Sequence, residues 1–179
     1  MYRLSKLRWV FPIGLLVALF LDGSLSHVFS GIFFHYPSAM SSQLLLLWLV
    51  LSYFFEGDTH IPVVGFAALA GAICDLYYSG IWGLFLFLYP AIVMLTRLLA
   101  RYMPTSFLSH IMIFFVDITV FELLNYWAYS VIGVTTASFG DFLAGVLAPT
   151  LALNLIYFVI FYFPIARLFN WAEQEKYQA

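Results

Sequence analysis

Four acidic residues, Asp22, Asp75, Asp117 and Glu122, stand in stretches that are otherwise almost entirely apolar. A carboxylate at bilayer depth is costly, so such residues are candidates for proton relays, ligand contacts or buried locks between helices. Asp22 lies either within its apolar segment or near enough to the outer end to be solvated. Asp117 and Glu122 are five residues apart, about 140° on a helical wheel, with Asn125 about 80° from Asp117. The three can share one broad face turned away from lipid. A hydrogen-bonded packing seam is the preferred reading of that face; a partner-binding or proton-linked face is the alternative.

Two further patterns are more specific. Ala67, Gly71, Asp75 and Ser79 recur every four residues. A small-residue stripe of this kind lets a neighbouring backbone approach closely, and it would carry the Asp75 carboxylate into that contact, to meet a neighbouring helix terminus or hydroxyl. A structural lock is the preferred role, with a ligand or relay role as the alternative. The second pattern is Gly145-x-x-x-Pro149-Thr150-x-x-x-Asn154. Pro149 has no amide hydrogen, so the Gly145 carbonyl loses its helical partner and the helix bends. Thr150 and Asn154 share a face beside the bend, as a packing feature or as part of a site or hinge.

The patterns of autonomous catalysis are missing from the sequence. It contains no HExxH, CxxC or Gly-x-Ser-x-Gly, and no glycine-rich phosphate loop preceding a lysine. Its single cysteine, Cys74, cannot pair within the chain. His27 and His35 are expected near the outer side and His60 and His110 near the inner side, too scattered for one metal site. No cofactor or metal is expected.

The elements that position these residues follow from composition. Of 179 residues, 64% are hydrophobic and 9% charged, against about 45–50% and about 25% in soluble domains. Lipid is the natural solvent for such a chain. With about 20 apolar residues per crossing, there is room for about six helices and short loops, hence a single all-α transmembrane domain. The expected spans cover about 9–28, 40–55, 61–78, 81–100, 107–132 and 139–168. Ser138, three residues before Asp141, has the pattern of a capping box opening the last helix. The basic start followed by an apolar run is read as an uncleaved signal anchor rather than a signal peptide. With the N-terminus in the cytoplasm, Arg3, Lys6, Arg8, Arg97, Arg101, Arg167 and Lys176 all fall on the inner side. That is every basic residue in the chain, as the positive-inside rule requires, and it puts both termini in the cytoplasm.

The stretch Gly71-Ala-Ile-Cys-Asp75-Leu-Tyr-Tyr-Ser-Gly80-Ile-Trp-Gly83 resembles the Gly-x-x-x-Asp…Gly…Gly signature of the MreD family, rod shape-determining membrane proteins. Ala148-Pro149-Thr150-Leu-Ala-Leu-Asn154, followed by aromatic residues, Pro164 and Arg167, is similar to that family's last span. The resemblance implies a non-enzymatic component of the bacterial elongation machinery in the cytoplasmic membrane. Its implied partners are MreC, a single-pass protein, together with the actin-like MreB, the polymerase RodA and a class B penicillin-binding transpeptidase. The implied role is organising lateral peptidoglycan synthesis; nucleic acid has no part in it. The resemblance also implies a fold like the substrate-binding subunits of energy-coupling-factor vitamin transporters, and Gly14-x-x-x-Ala18 resembles the small-residue contact such subunits use. A transporter subunit is therefore the alternative function, and an intramembrane enzyme using Asp75 or Glu122 is a weaker third. Asp117 and Glu122 match nothing in the family pattern. Gene neighbours, MreC-like and actin-like proteins or transporter ATPases, would separate the first two.

Overall fold

A computed structural model describes residues 6–33, 39–57 and 61–174. Arg3, His35, His60 and Lys176 lie outside the described residues, as does the side chain of Ser79. The described chain is helical throughout, without strands. Helix α1 is Leu7–Val28, α2 Leu44–Phe55, α3 Val63–Cys74, α4 Leu84–Ala100 and α5 Phe107–Val131. Helix α6 opens as Phe139–Phe142, widens into a π-helical turn at Leu143–Leu147, and runs on as Ala148–Gln174. A second π-helical turn, Asp75–Ser79, extends α3. Three of these helices, Leu7–Val28, Phe107–Val131 and Phe139–Glu173, are long and apolar enough to cross a membrane.

The other three are shorter, and α2 shows why. Its helix begins at Leu44, four residues later than the sequence suggests, because residues 39–43 are not helical. Twelve helical residues rise about 18 Å. Five non-helical residues can add up to about 16 Å, enough for the two together to match a hydrocarbon core of about 30 Å. The sequence of 39–43 contains no residue that forbids a helix, and its conformation is imposed by α6, as described below. Similarly, α4 begins at Leu84 rather than at 81, because Gly80 (φ +67°) and Gly83 (φ +96°) turn the chain through the left-handed region first. Helices α1, α3 and α6 pass through prolines or π turns where the backbone bonding shifts. In the Leu143–Leu147 π turn, the Ala148 N–H donates to the Leu143 carbonyl five residues back.

Helix ends are capped where polar groups allow. Ser106 accepts from the Ser109 N–H at 3.2 Å at the start of α5. Ser138 accepts from the Asp141 N–H at 3.2 Å and donates to its carboxylate at 2.6 Å, closing the box at the start of α6.

The helix ends that carry basic residues gather at one end of the bundle. Lys6, just before α1, lies 4.8 Å from the ring centre of Trp171 near the end of α6. Phe169 meets Phe55 at the end of α2, and Arg97 near the end of α4 lies over Tyr53. There, too, His110 stacks on Phe54 with centroids 4.0 Å apart and bonds Tyr162 through Nδ1 at 2.9 Å. In the middle, the Trp48 indole crosses to α1 and donates to the Phe11 carbonyl at 3.2 Å. An added Cβ at Gly14 would lie 2.0 Å from that indole, so the glycine is what admits it.

Candidate functional site

The polar groups of the interior form three joints, each built around backbone that a regular helix would not need.

The first joint binds α3 to α4, the most extensively packed helix pair. Gly71 is buried at the crossing, and a Cβ there would stand 2.2 Å from the Phe85 carbonyl oxygen. Nothing larger than glycine fits without moving α4's backbone. One turn further on, the Asp75 carboxylate reaches the start of α4. It accepts from the Phe85 N–H at 2.8 Å, and from the Gly83 and Leu86 N–H groups at 3.0 Å each. The first N–H groups of a helix have no partner within it, and α4 has glycine at its N-cap, with no side chain to supply one. Asp75 is therefore a cap delivered from a neighbouring helix, negative charge set against the positive end of the helix dipole. Ala67, fully buried, continues the stripe.

The second joint uses the same device. Helix α2 has Gln43 at its N-cap, with no side-chain cap of its own. Asp22 on α1 accepts from the Leu44 N–H at 2.8 Å, the Leu45 N–H at 2.7 Å and the Ser42 hydroxyl at 2.6 Å. It is partly buried, and its role lies inside the bundle rather than in water. The sequence signal for it was weak: one acid near a helix end, with the helix it caps more than twenty residues away.

The third joint lays the non-helical segment 39–43 along α6. The Gly145 carbonyl, deprived of its helical donor by Pro149, accepts from the Ala39 N–H at 2.7 Å. Thr150 Oγ1 accepts from the Ser41 N–H at 3.1 Å. Asn154 uses both ends of its amide: Oδ1 accepts from the Gln43 N–H at 2.8 Å, and Nδ2 donates to the Ser41 carbonyl at 2.8 Å. Unpaired backbone groups are not tolerated at bilayer depth unless protein satisfies them. Gly145, Thr150 and Asn154, spaced along one helix face, supply the donors and acceptors that an extended strand would find in a sheet. The Gln43 side chain then bonds Glu122 of α5 at 2.9 Å, so the segment is tied on both sides.

Asp117, Glu122 and Asn125 are not one cluster. Asp117 is buried and pairs through one oxygen with the Thr96 hydroxyl of α4 at 2.7 Å, while its other oxygen has no partner among the described residues. Glu122 turns toward Gln43. The buried Asn125 side-chain oxygen likewise has no partner among the described residues. Shared wheel position brought the three to the interior but not to each other. Among the described residues, no three His, Cys, Asp or Glu side chains converge as metal ligands would.

Comparison with known proteins adds one assignment. The family described as rod shape-determining protein MreD matches residues 4–172, nearly the whole chain, including all three joints. No curated protein matches. No solved structure matches either, so the likeness to vitamin-transporter subunits gains no support. The chain belongs to the MreD family of rod shape-determining membrane proteins.

Proposed function

We propose that the protein is a membrane scaffold of the bacterial elongation machinery, which helps organise lateral peptidoglycan synthesis by binding an MreC-like single-pass protein. The observation that carries this reading is the family match over residues 4–172. MreB, RodA and a class B penicillin-binding transpeptidase complete the assembly it would serve. The polar interior fits a scaffold: Asp22, Asp75, Gly145, Thr150 and Asn154 are all bonded to the chain's own backbone. The protein acts, in this reading, through its shape and not through a reaction.

All six helices cross the cytoplasmic membrane, the short ones with the help of their non-helical and π-helical extensions. Both termini are cytoplasmic, a topology supported by the meeting of Lys6 with Trp171 and by the basic residues at that end.

The Gly71 stripe and the polar face of α6 are covered by the chain's own elements. The partner's helix is better matched by an open groove of about 400 Å³ between α1, α2 and α6. Val10, Gly14, Val17 and Leu21 line it along three turns of α1, with Trp48 and Leu168 opposite. Its lining is apolar throughout and follows helical spacing, as a single transmembrane helix requires. Co-purification in mild detergent tests the proposal. The MreC-like protein should be retained in a stable complex; its absence from the eluate under conditions that keep this chain folded would refute it.

A further inference from the structure

Behind the non-helical segment, where α1, α3, α4 and α5 meet, lies a second cavity, of about 510 Å³, within the range of small-ligand pockets. Its wall differs in kind from the apolar groove. Asp22, Ser26 and Gln43 line it together with Tyr78, Tyr89 and Tyr129, and among the described residues no Lys, Arg or His lines it.

Its unused hydrogen-bonding capacity is that of acceptors. Asp22 Oδ1 already receives the Ser42 hydroxyl and the Leu44 N–H, whereas Oδ2 receives only the Leu45 N–H. A carboxylate oxygen accepts two bonds, so Oδ2 has a direction free. Gln43 is only 6% exposed, and its amide nitrogen donates to Ser41 Oγ at 3.2 Å and to Glu122 at 2.9 Å. With both protons engaged, its carbonyl oxygen has no donor among the described residues. The Gln43 carbonyl oxygen is not sealed in the core; it is open to the cavity, where a ligand or water can supply a donor.

The aromatic wall is also constructed. The π turn at Asp75–Ser79 carries Tyr78 against α1, where a Cβ on Gly23 would lie 2.2 Å from the tyrosine oxygen. Aromatic faces beside a carboxylate attract cations. A phosphate or carboxylate ligand would instead meet Asp22 with no counter-charge in the wall.

We infer that this cavity binds an organic ammonium group, held by Asp22 and the Gln43 carbonyl and enclosed by tyrosine rings. Such a group can come from a soluble amine or from an aminated lipid headgroup. The inference stands apart from partner docking, since it concerns a different cavity and needs no second protein.

The full chain is purified and its melting followed with ethanolamine, potassium chloride or inorganic pyrophosphate. The same measurement is made in nanodiscs of phosphatidylglycerol with and without phosphatidylethanolamine. Ser26→Lys is the informative variant. It puts an ammonium one helical turn from Asp22 and leaves the cap on α2 in place, so the protein should fold while its affinity for amines falls roughly 30-fold or more. A rise in Tm with free amines that Ser26→Lys removes supports a soluble ligand; a rise confined to phosphatidylethanolamine nanodiscs and removed by the same variant supports a lipid one. No rise in either arm, an equal rise with potassium or a larger one with pyrophosphate, or a response unchanged in Ser26→Lys would overturn the inference.

Discussion

The Gly145 carbonyl accepts the Ala39 N–H at 2.7 Å, joining two residues more than a hundred positions apart. It can do so because Pro149, four residues after Gly145, offers no N–H of its own. The bend in α6 therefore has a second function beyond geometry: it frees an acceptor at the point where a non-helical segment needs one. Thr150 and Asn154 continue the same service at the next two turns.

Pro149→Ala should consequently disturb residues 39–43 more than α6 itself. The new N–H competes with Ala39 for one carbonyl, so hydrogen exchange at Ala39 should accelerate while α6 stays protected. Asn154→Leu removes three bonds at once, at about 1 kcal/mol each. Its Tm in detergent should fall further than that of Pro149→Ala. Equal melting of Asn154→Leu and the parent would show that the segment is held by something else.

Asp75 and Gly71 form one joint and should fail together. Asp75→Asn can turn its oxygen toward Gly83 and Leu86 and lose only the Phe85 bond, for about 1 kcal/mol. Asp75→Leu strands three partly buried N–H groups, at about 1 kcal/mol or more each. Gly71→Leu must push the α4 backbone aside and should lower the yield of folded protein sharply. Purified yield and thermal melting order the variants as Asn mildest, with both leucine variants severe. A normal yield for both leucine variants would remove the joint from the account.

Topology can be checked with single cysteines at the Lys6, Tyr102 and Gln174 positions in a Cys74→Ala background. An impermeant thiol reagent applied to intact cells should label none of them, and all three should react after lysis. Labelling of one in intact cells would break the six-crossing reading.

Much of this architecture was legible because certain residues are expensive in a membrane helix. Gly71, Asp75, Pro149 and Asn154 each stand out against an apolar background, and each proves to hold irregular or closely approached backbone. What could not be read was the other half of each joint. Residues 39–43 have no proline or glycine to mark them as non-helical, and their conformation comes from bonds to α6 far along the chain. Asp22 looked like an acid near a helix end because the α2 terminus it caps was itself misplaced by four residues. Helical-wheel spacing put Asp117, Glu122 and Asn125 on one inward side, but only the neighbouring helices decided that Thr96 and Gln43 would separate the first two.

Shape determination is proposed to run through a partner held on the apolar groove, with the buried Asp117 serving only the fold. Capture of the MreC-like protein by Val17→Trp and by Asp117→Asn tests this most directly. Val17 lines the groove, where an indole would fill the space for a partner helix. Asp117 lies inside, where asparagine can still accept from Thr96. Val17→Trp should melt like the parent and lose the partner, whereas Asp117→Asn should retain it. Normal capture by Val17→Trp, together with loss of capture by a folded Asp117→Asn, would contradict the proposal.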